Sequence, residues 1–443
     1  MIKRIATWFD QRLGASTFTR TALNKVFPDH WSFMLGEIAL YCFVVLLLTG
    51  TFLTFFFDAS SAESTYSGSY LPMRGVEMSD AFRSVVELSF DVRAGLVMRQ
   101  IHHWAALLFV ASILAHLCRI FFTGAFRRPR EINWVIGVTL LILAIFNGFT
   151  GYSLPDDLLS GTGLRIAYSI ALSVPLIGTW LAFLIFGGEF PADEIIGRLF
   201  ITHVLLIPAL LAGLIGAHLA IIWRQKHTQF PEKGRTETNV VGSRLWPTYT
   251  TKSVGLFFAV FAVLCFLGGL AQINPVWLYG PFEPDLVSSP AQPDWYLGWV
   301  EGAMRVFPAW ETRAFGFMLP NPFFPAVLLP GITFTLLYLW PFIEARVTGD
   351  YLPHELLDRP RDRPARTALG VTTLAFYTVL FFAGSNDIVA KWFEIDVNKV
   401  TWFFRIALFV IPAILGWVTY RLMKALRASE AARFSEMPLE SLR

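Results

Sequence analysis

Long apolar stretches separated by polar loops dominate the pattern along the chain. The stretches 38–57 and 204–223 contain no charged residue, and each has the roughly 20 residues that a helix needs to cross a bilayer. A membrane β-barrel would show short alternating segments instead. The pattern therefore predicts an all-α polytopic membrane protein. Its eight predicted transmembrane helices are 33–57, 98–122, 132–152, 199–224, 253–271, 324–343, 367–384 and 402–424.

A ninth apolar stretch, 166–188, is interrupted in its middle by Pro175 and Gly178. Proline removes a helical hydrogen bond and clashes with the preceding turn. We therefore expect a helical surface hairpin here, in the loop between the third and fourth spans. The resulting division of the chain is a cytoplasmic arm 1–32, a four-span bundle 33–224, a cytoplasmic linker 225–252, a four-span C-terminal part 253–424 and a cytoplasmic tail 425–443.

Composition excludes a soluble protein, because 55% of the 443 residues are hydrophobic and only 16% are charged, against about 25% charged in soluble proteins. The net charge of +3 is uninformative, but its distribution is not. With eight spans, 25 of the 36 lysines and arginines fall on the side of the two termini. The positive-inside rule then predicts that both termini are cytoplasmic. If 166–188 crossed the membrane, this bias would largely cancel.

Four of the eight histidines form pairs inside predicted spans, where an ionisable residue is a functional candidate. His102 and His116 lie 14 residues apart in the second span, and His203 and His218 lie 15 apart in the fourth. These separations return to nearly the same helix face after a rise of about 21–22 Å. Two such helices that face each other would form two stacked bis-imidazole sites, an arrangement typical of electron-transfer haem.

Other interpretations of single residues stay open at this point. An intramembrane histidine can make an interhelical hydrogen bond, and the adjacent His102 and His103 could suggest copper. The three cysteines are scattered in apolar stretches without a C-x-x-C-H sequence, so a haem would be held non-covalently. The N-terminus is polar and amphipathic, unlike a cleavable signal peptide, and we expect the first span to direct insertion.

Arginines and glycines recur beside the histidines. Arg99, Arg119 and Arg198 lie within five residues of a histidine and could pair with haem propionates, although arginines at helix ends also snorkel toward water. Glycines repeat at the same 14-residue spacing in the first and third spans, where a flat macrocycle could approach the backbone, or where helices could simply pack. These glycines are Gly36 and Gly50, and Gly137 and Gly151.

Two loop motifs complete the set. Gly151-Tyr-Ser-Leu-Pro155 ends the third span, and Pro293-Asp-Trp-Tyr296 lies in the loop 272–323 before the sixth. Together with the histidines, arginines and glycines, these motifs resemble cytochrome b, the membrane subunit of quinol–cytochrome c reductase. The resemblance covers essentially the whole chain from the first span onward. It is strongest to the actinobacterial branch that oxidises menaquinol in the bacterial cell membrane.

The resemblance implies two non-covalent haems b. His102 and His203 would hold the low-potential haem near the outer face, and His116 and His218 the high-potential haem near the cytoplasm. Quinol oxidation would occur at an outer site that includes 152–165 and the Pro-Asp-Trp-Tyr turn, with Tyr152, Asp294 and Tyr296 as its catalytic residues. An inner site would reduce quinone, so that protons are released outside and taken up inside.

The resemblance also implies partner subunits, since the chain has no iron–sulfur or cytochrome c motif of its own. These partners are a Rieske iron–sulfur subunit and a cytochrome c subunit, in a dimer of complexes that could include a terminal oxidase. Membrane lipids surround the chain, and nothing in the sequence indicates a nucleic-acid partner. Two other functions stay open, a di-haem membrane anchor of another quinone-linked dehydrogenase and a proton-coupled transporter.

Departures from the family pattern bear on both quinone sites. Asp294 replaces the usual glutamate, and the acids Asp156 and Asp157 follow Pro155, so all three are candidate acceptors of the quinol proton. On the cytoplasmic side, Ser253 stands where the mitochondrial pattern has an aspartate. The candidates for inner quinone binding are therefore His227 and Lys252, although a polar loop near anionic headgroups would look the same.

The first test concerns cofactor content. We expect about two haems b per chain in a pyridine haemochrome assay of purified protein, because each histidine pair provides one bis-imidazole site. His102→Ala or His203→Ala should each remove one spectral component and leave the other. A colourless preparation would contradict the haem assignment.

Overall fold

The computed structural model describes residues 1–286, 292–314 and 316–436. Within these residues, eight helices are long and apolar enough to cross a membrane, which confirms the predicted fold class. Parts of the predicted loop 272–323 and tail 425–443, namely 287–291, 315 and 437–443, lie outside the described residues. The eight spans are Trp31–Thr54, Gly95–Thr123, Glu131–Tyr152, Ile195–Gln225, Leu245–Leu270, Phe324–Thr348, Pro364–Ala383 and Val397–Glu430.

Several spans begin earlier than the apolar pattern indicated. The fourth, fifth and eighth begin at Ile195, Leu245 and Val397 rather than at 199, 253 and 402. Their first turns carry charged residues, such as Arg198 and Lys252. A prediction from hydropathy alone leaves such turns out of the span. The backbone hydrogen bonds of a helix continue past the apolar boundary, because the first turns can stand at the water interface.

Among the described residues, seven shorter α-helices lie between or beside the spans. They are α1 (Ile2–Leu13), α2 (Ala15–Leu23), α3 (Asp80–Phe90), α4 (Leu158–Leu172), α5 (Gly178–Phe186), α6 (Gly298–Val306) and α7 (Asn386–Phe393). Helices α4 and α5 form the predicted hairpin between the third and fourth spans. Its turn contains Pro175, and Gly178 packs so closely on the Leu172 carbonyl that an added Cβ would overlap it.

Three short antiparallel strand pairs lie in the described loops. They are β1 (Val26–Phe27) with β4 (Ser243–Arg244), β2 (Glu63–Thr65) with β3 (Glu77–Ser79), and β5 (Thr312–Ala314) with β6 (Phe317–Leu319). The β1–β4 pair matters most for the site. It joins the N-terminal arm to the segment just before the fifth span, so that the first and fifth spans meet at one end of the bundle.

The main hydrophobic core lies among the first five spans. Cys42, Ala105, Leu211 and Leu264, from the first, second, fourth and fifth spans, are almost fully buried there. Large apolar side chains also point outward, for example Leu48 at 62% and Phe266 at 64% exposure. An outward apolar surface is what lipid requires of a spanning helix.

Polar side chains on the second span hold the end of the fifth. Buried Gln100 both donates to the Ile273 carbonyl and accepts from the Ile273 amide, each over 2.8 Å. The Trp104 indole donates to the Ala271 carbonyl over 2.7 Å. These bonds satisfy backbone groups where the fifth span ends, and they fix the start of the loop that leads to the Pro293–Tyr296 turn.

A buried ion-pair network links the ends of several spans. Arg366, whose side chain is only 3% exposed, binds Glu344 of the sixth span over 2.7 Å and Asp358 over 2.6 Å. Asp358 also pairs with Arg127, from the loop after the second span, over 3.3 Å. The network therefore connects the N-terminal and C-terminal spans.

We expect Arg366→Met to destabilise the protein by about 3–5 kcal/mol, because it leaves two buried carboxylates without their shared cation. Denaturant or thermal unfolding of the purified complex measures the change. Arg74→Met is the matched control, since Arg74 is exposed and such substitutions change stability by about 0.5 kcal/mol or less. Equal stability of the two variants would contradict a structural role for the network.

Candidate functional site

The four intramembrane histidines form two facing pairs between the second and fourth spans. The ring centroids of His102 and His203, the outer pair, are 6.2 Å apart. Those of His116 and His218, the inner pair, are 6.5 Å apart. Metal–imidazole bonds are about 2 Å long, so two imidazoles on opposite sides of one ion have ring centres about 6 Å apart. Both pairs have the separation that one metal ion between them requires.

A local widening of the fourth span explains its unequal spacing. Thr202–Leu206 forms a π-helical turn, which contains His203 and takes up one extra residue relative to an α-helix. The 15 residues from His203 to His218 therefore match the 14 from His102 to His116. Turns of this kind occur frequently at functional sites.

Hydrogen bonds orient the outer pair. Nδ1 of His203 donates to the Asn147 carbonyl over 2.9 Å, and Nδ1 of His102 lies 2.9 Å from the Thr49 hydroxyl. When the Nδ1 nitrogen holds the ring in this way, Nε2 is left as the metal-binding atom. Both orienting groups come from spans adjacent to the histidine spans.

Each histidine ring lies against one of the four predicted glycines. An added Cβ would lie 3.2 Å from His116 at Gly36, 3.1 Å from His102 at Gly50 and 3.9 Å from His218 at Gly137, and would overlap His203 at Gly151. The glycines thus leave room beside the rings, as a flat macrocycle needs.

The predicted arginines divide into two groups. Arg99 and Arg119 are largely buried, and each has a guanidinium nitrogen without a hydrogen-bond partner among the described residues. Arg99 lines the same cavity as the outer pair and could receive an anionic ligand there. Arg198 does not join them, because it binds Glu194 over 2.8 Å and carbonyls of α5.

The cavity beside the outer pair also contains the predicted catalytic side chains. Tyr152, Asp294 and Tyr296 all line it. The Tyr296 hydroxyl donates to Oδ2 of Asp294 over 3.0 Å, and burial together with this carboxylate raises the pKa of Tyr296 well above its ordinary value. A carboxylate with defined partners in an apolar cavity is a candidate proton acceptor.

The sequence suggested His103 only as a copper ligand beside His102. Its Nε2 lies 2.9 Å from Oδ1 of Asp294. Two adjacent residues of the second span therefore have different partners: His102 belongs to the outer pair, and His103 contacts Asp294. The contact joins residues 191 positions apart. The adjacent histidines were the only signal for it in the sequence.

Comparisons with known proteins identify the family. Residues 107–281 match the family model described as cytochrome b(N-terminal)/b6/petB. The cytochrome bc1 complex cytochrome b subunit of Mycobacterium tuberculosis (strain ATCC 25618 / H37Rv) is 54% identical over 97% of this chain and 78% of its own length. Those of Corynebacterium diphtheriae and Streptomyces coelicolor are 52% and 50% identical, over 97% and 96% of this chain and 79% and 78% of theirs. The chain belongs to the cytochrome b family.

The fold has a solved counterpart as well. A chain of a "Hyperthermophilic respiratory Complex III" superposes with a TM-score of 0.69 over 94% of this cytochrome b and 99% of that chain, at 21% identity. The actinobacterial relatives agree with the predicted branch, and the subunit works as part of a bc1-type complex. The family implies haem b as cofactor, and the two histidine pairs with their glycines are the groups that could hold it.

The acids Asp156 and Asp157 have partners other than those of Asp294. Asp157 caps the N-terminus of α4, accepting from the Ser160 hydroxyl over 2.8 Å, and burial raises its pKa to about 6. Asp156 has a backbone φ of 52°, and burial raises its pKa as well. Neither is among the residues that line the cavity with Asp294.

The two inner-side candidates have different surroundings. His227 is partly buried, with its ring 4.9 Å from that of Phe27. Its burial is the main cause that lowers its pKa to about 4, and the nearby cations Lys25, Arg119 and Arg130 lower it further. Lys252 is exposed and pairs with Asp29 over 2.8 Å. The structure brings these two candidates to the same end of the bundle, but it gives Lys252 a surface partner.

The glycine contacts predict a paired outcome. Gly151→Ala should lose about half of the b-type absorbance, because the added Cβ displaces His203 from one of two bis-imidazole sites. Gly213→Ala, in the fourth span, is the matched control, since an added Cβ there would meet nothing within 4 Å. Reduced-minus-oxidised spectra of the two variants measure the effect. Equal retention in both would contradict the role of Gly151.

Proposed function

We propose that this cytochrome b is the di-haem subunit of a menaquinol–cytochrome c reductase in a bacterial plasma membrane. Menaquinol is oxidised at the outer site, and electrons cross the membrane to an inner quinone site with net proton translocation. The observation that carries this proposal is the stacking of two histidine pairs, with ring centroids 6.2 and 6.5 Å apart, between the same two spans. The positive-inside charge bias supports cytoplasmic termini.

The outer pair and the inner pair would each hold one haem b through two imidazoles, and a haem bound there would supply single-electron transfer. Gly50 and Gly151 leave space at the outer pair, and Gly36 and Gly137 leave it at the inner pair. Arg99 and Arg119 offer buried guanidinium groups for the propionates. For Arg198 the structure gives other partners, so this proposal does not include it.

Asp294 accepts a quinol proton at the outer site. Its two carboxylate oxygens have different partners, His103 on Oδ1 and Tyr296 on Oδ2, and these hold the group toward the cavity that Tyr152 also lines. His103 therefore acts as a positioning residue. Asp157 is occupied as a helix cap, which favours Asp294 over it.

The relatives' names describe subunits of a cytochrome bc1 complex, which supports the proposed partners. These are a Rieske iron–sulfur protein that takes one electron from quinol at the outer face, a cytochrome c subunit that receives it, and a second copy of the complex, with a terminal oxidase as a further partner. The actinobacterial relatives and the Asp294 motif support menaquinol as the quinol.

Asp294→Asn should lower the rate of quinol oxidation by about 10²–10⁴-fold, the usual contribution of a general base, and leave the b-type spectrum unchanged. Steady-state quinol–cytochrome c reductase activity of the purified complex measures the rate. Asp157→Asn is the control, because asparagine also caps helices, and it should retain the parent rate. The assignment fails if the two substitutions have equal effects.

A further inference from the structure

A polar cluster lies between the first and fifth spans, and we call its residues Glu37, Tyr41, Tyr249 and Ser253 the Glu37 cluster. Ser253 donates its hydroxyl to Oε2 of Glu37 over 2.8 Å, and Tyr41 donates to the same oxygen over 3.1 Å. Tyr249 donates to Oε1, and the hydroxyls of Tyr41 and Ser253 are in contact with each other. Three hydroxyls thus converge on one carboxylate inside a span.

The cluster adjoins the inner histidine pair. Glu37 directly follows Gly36, where an added Cβ would lie 3.2 Å from the His116 ring. The Tyr249 ring stacks on Phe27 at 4.5 Å, and Phe27 in turn lies 4.9 Å from the His227 ring. One continuous aromatic wall therefore connects the cluster to His227.

Packing alone does not require this arrangement. Glu37 lies in the first turn of its helix, at the interface end of the span, and a carboxylate there that collects three hydroxyl donors can meet both lipid and water. All four cluster residues are only partly buried, so a molecule dissolved in the lipid can reach them from between the spans. Nearby Lys252 forms an ion pair with Asp29 over 2.8 Å at the surface. Neither residue belongs to the Glu37 cluster.

We propose that Glu37 is the acid that hydrogen-bonds and protonates a quinone beside the inner histidine pair. This inference rests on the proposed function above. Reduction of one quinone consumes two electrons from the redox centres of the complex and two protons. Glu37 gives one proton to a carbonyl oxygen as that oxygen gains electrons, and the second proton comes from cytoplasmic water. The three hydroxyls stabilise the carboxylate that remains, and water on the same side reprotonates it.

The test uses the purified complex with its outer site disabled by Asp294→Asn, so that added menaquinol reduces haem only through the inner site. Glu37→Gln in this background should slow haem reduction at least tenfold, while the b-type spectrum keeps its amplitude. The variant should also retain less menaquinone per chain after purification. The control is Glu131→Gln, since Glu131 begins the third span at the same end of the bundle, and it should keep the Asp294→Asn rate.

The outcomes separate the two proposals. If Asp294→Asn alone abolishes haem reduction, the inner site of the proposed function is wrong. If it leaves haem reduction intact and adding Glu37→Gln changes neither rate nor menaquinone content, the role of Glu37 is overturned. Should the Glu37 variant fail to assemble, Tyr249→Phe and Ser253→Ala decide, since each removes one donor. A severalfold slowing supports the proposal, and an unchanged rate overturns it.

Discussion

Holding four neutral imidazoles inside an apolar bundle is the constraint on which the rest of this structure depends. In lipid, backbone polar groups must be satisfied within the helix, so any chemistry at membrane depth has to come from side chains on helix faces. Two parallel rows of histidine on the second and fourth spans meet this condition. The π-helical turn at Thr202–Leu206 brings the rows into register, and glycines on the first and third spans clear the space around the rings.

Much of this arrangement follows from sequence, because spans and helical spacing are local properties. Uncharged stretches predicted all eight spans, and Pro175 with Gly178 predicted the hairpin between the third and fourth. The 14-residue spacing alone predicted that His102 and His116 share one helix face, and Gly36 and Gly50 repeat that spacing in the first span. Such predictions need only the rise and turn of a helix. The charge bias across the loops also predicts an orientation in the membrane.

The parts that sequence reasoning missed depend on contacts between distant residues. His103 meets Asp294 across 191 positions, and Tyr249 meets Glu37 across 212. Neither contact has a periodic signal. Arg198 shows the same dependence, because its position before His203 predicts a propionate partner, whereas in the structure it binds carbonyls of α5 and Glu194 one turn away. Proximity in sequence cannot reveal which of two available anions or dipoles an arginine will meet.

In the proposed function each end of the bundle has a quinone site, and the two sites use different residues. A quinone site needs a group that exchanges protons beside a group that exchanges electrons, and the proton group must not compete for the metal. At the outer end, Asp294 comes from a loop after the fifth span and contacts His103, the chain neighbour of His102. At the inner end, the candidate carboxylate comes from the first span itself and is held by hydroxyls. Tyrosine and serine hydroxyls are neutral donors, and each bond from them favours the carboxylate less strongly than an ammonium partner would. At this end the lysine is paired at the surface instead. The Glu37 carboxylate is therefore held by neutral donors, and the fixed cation lies apart from it.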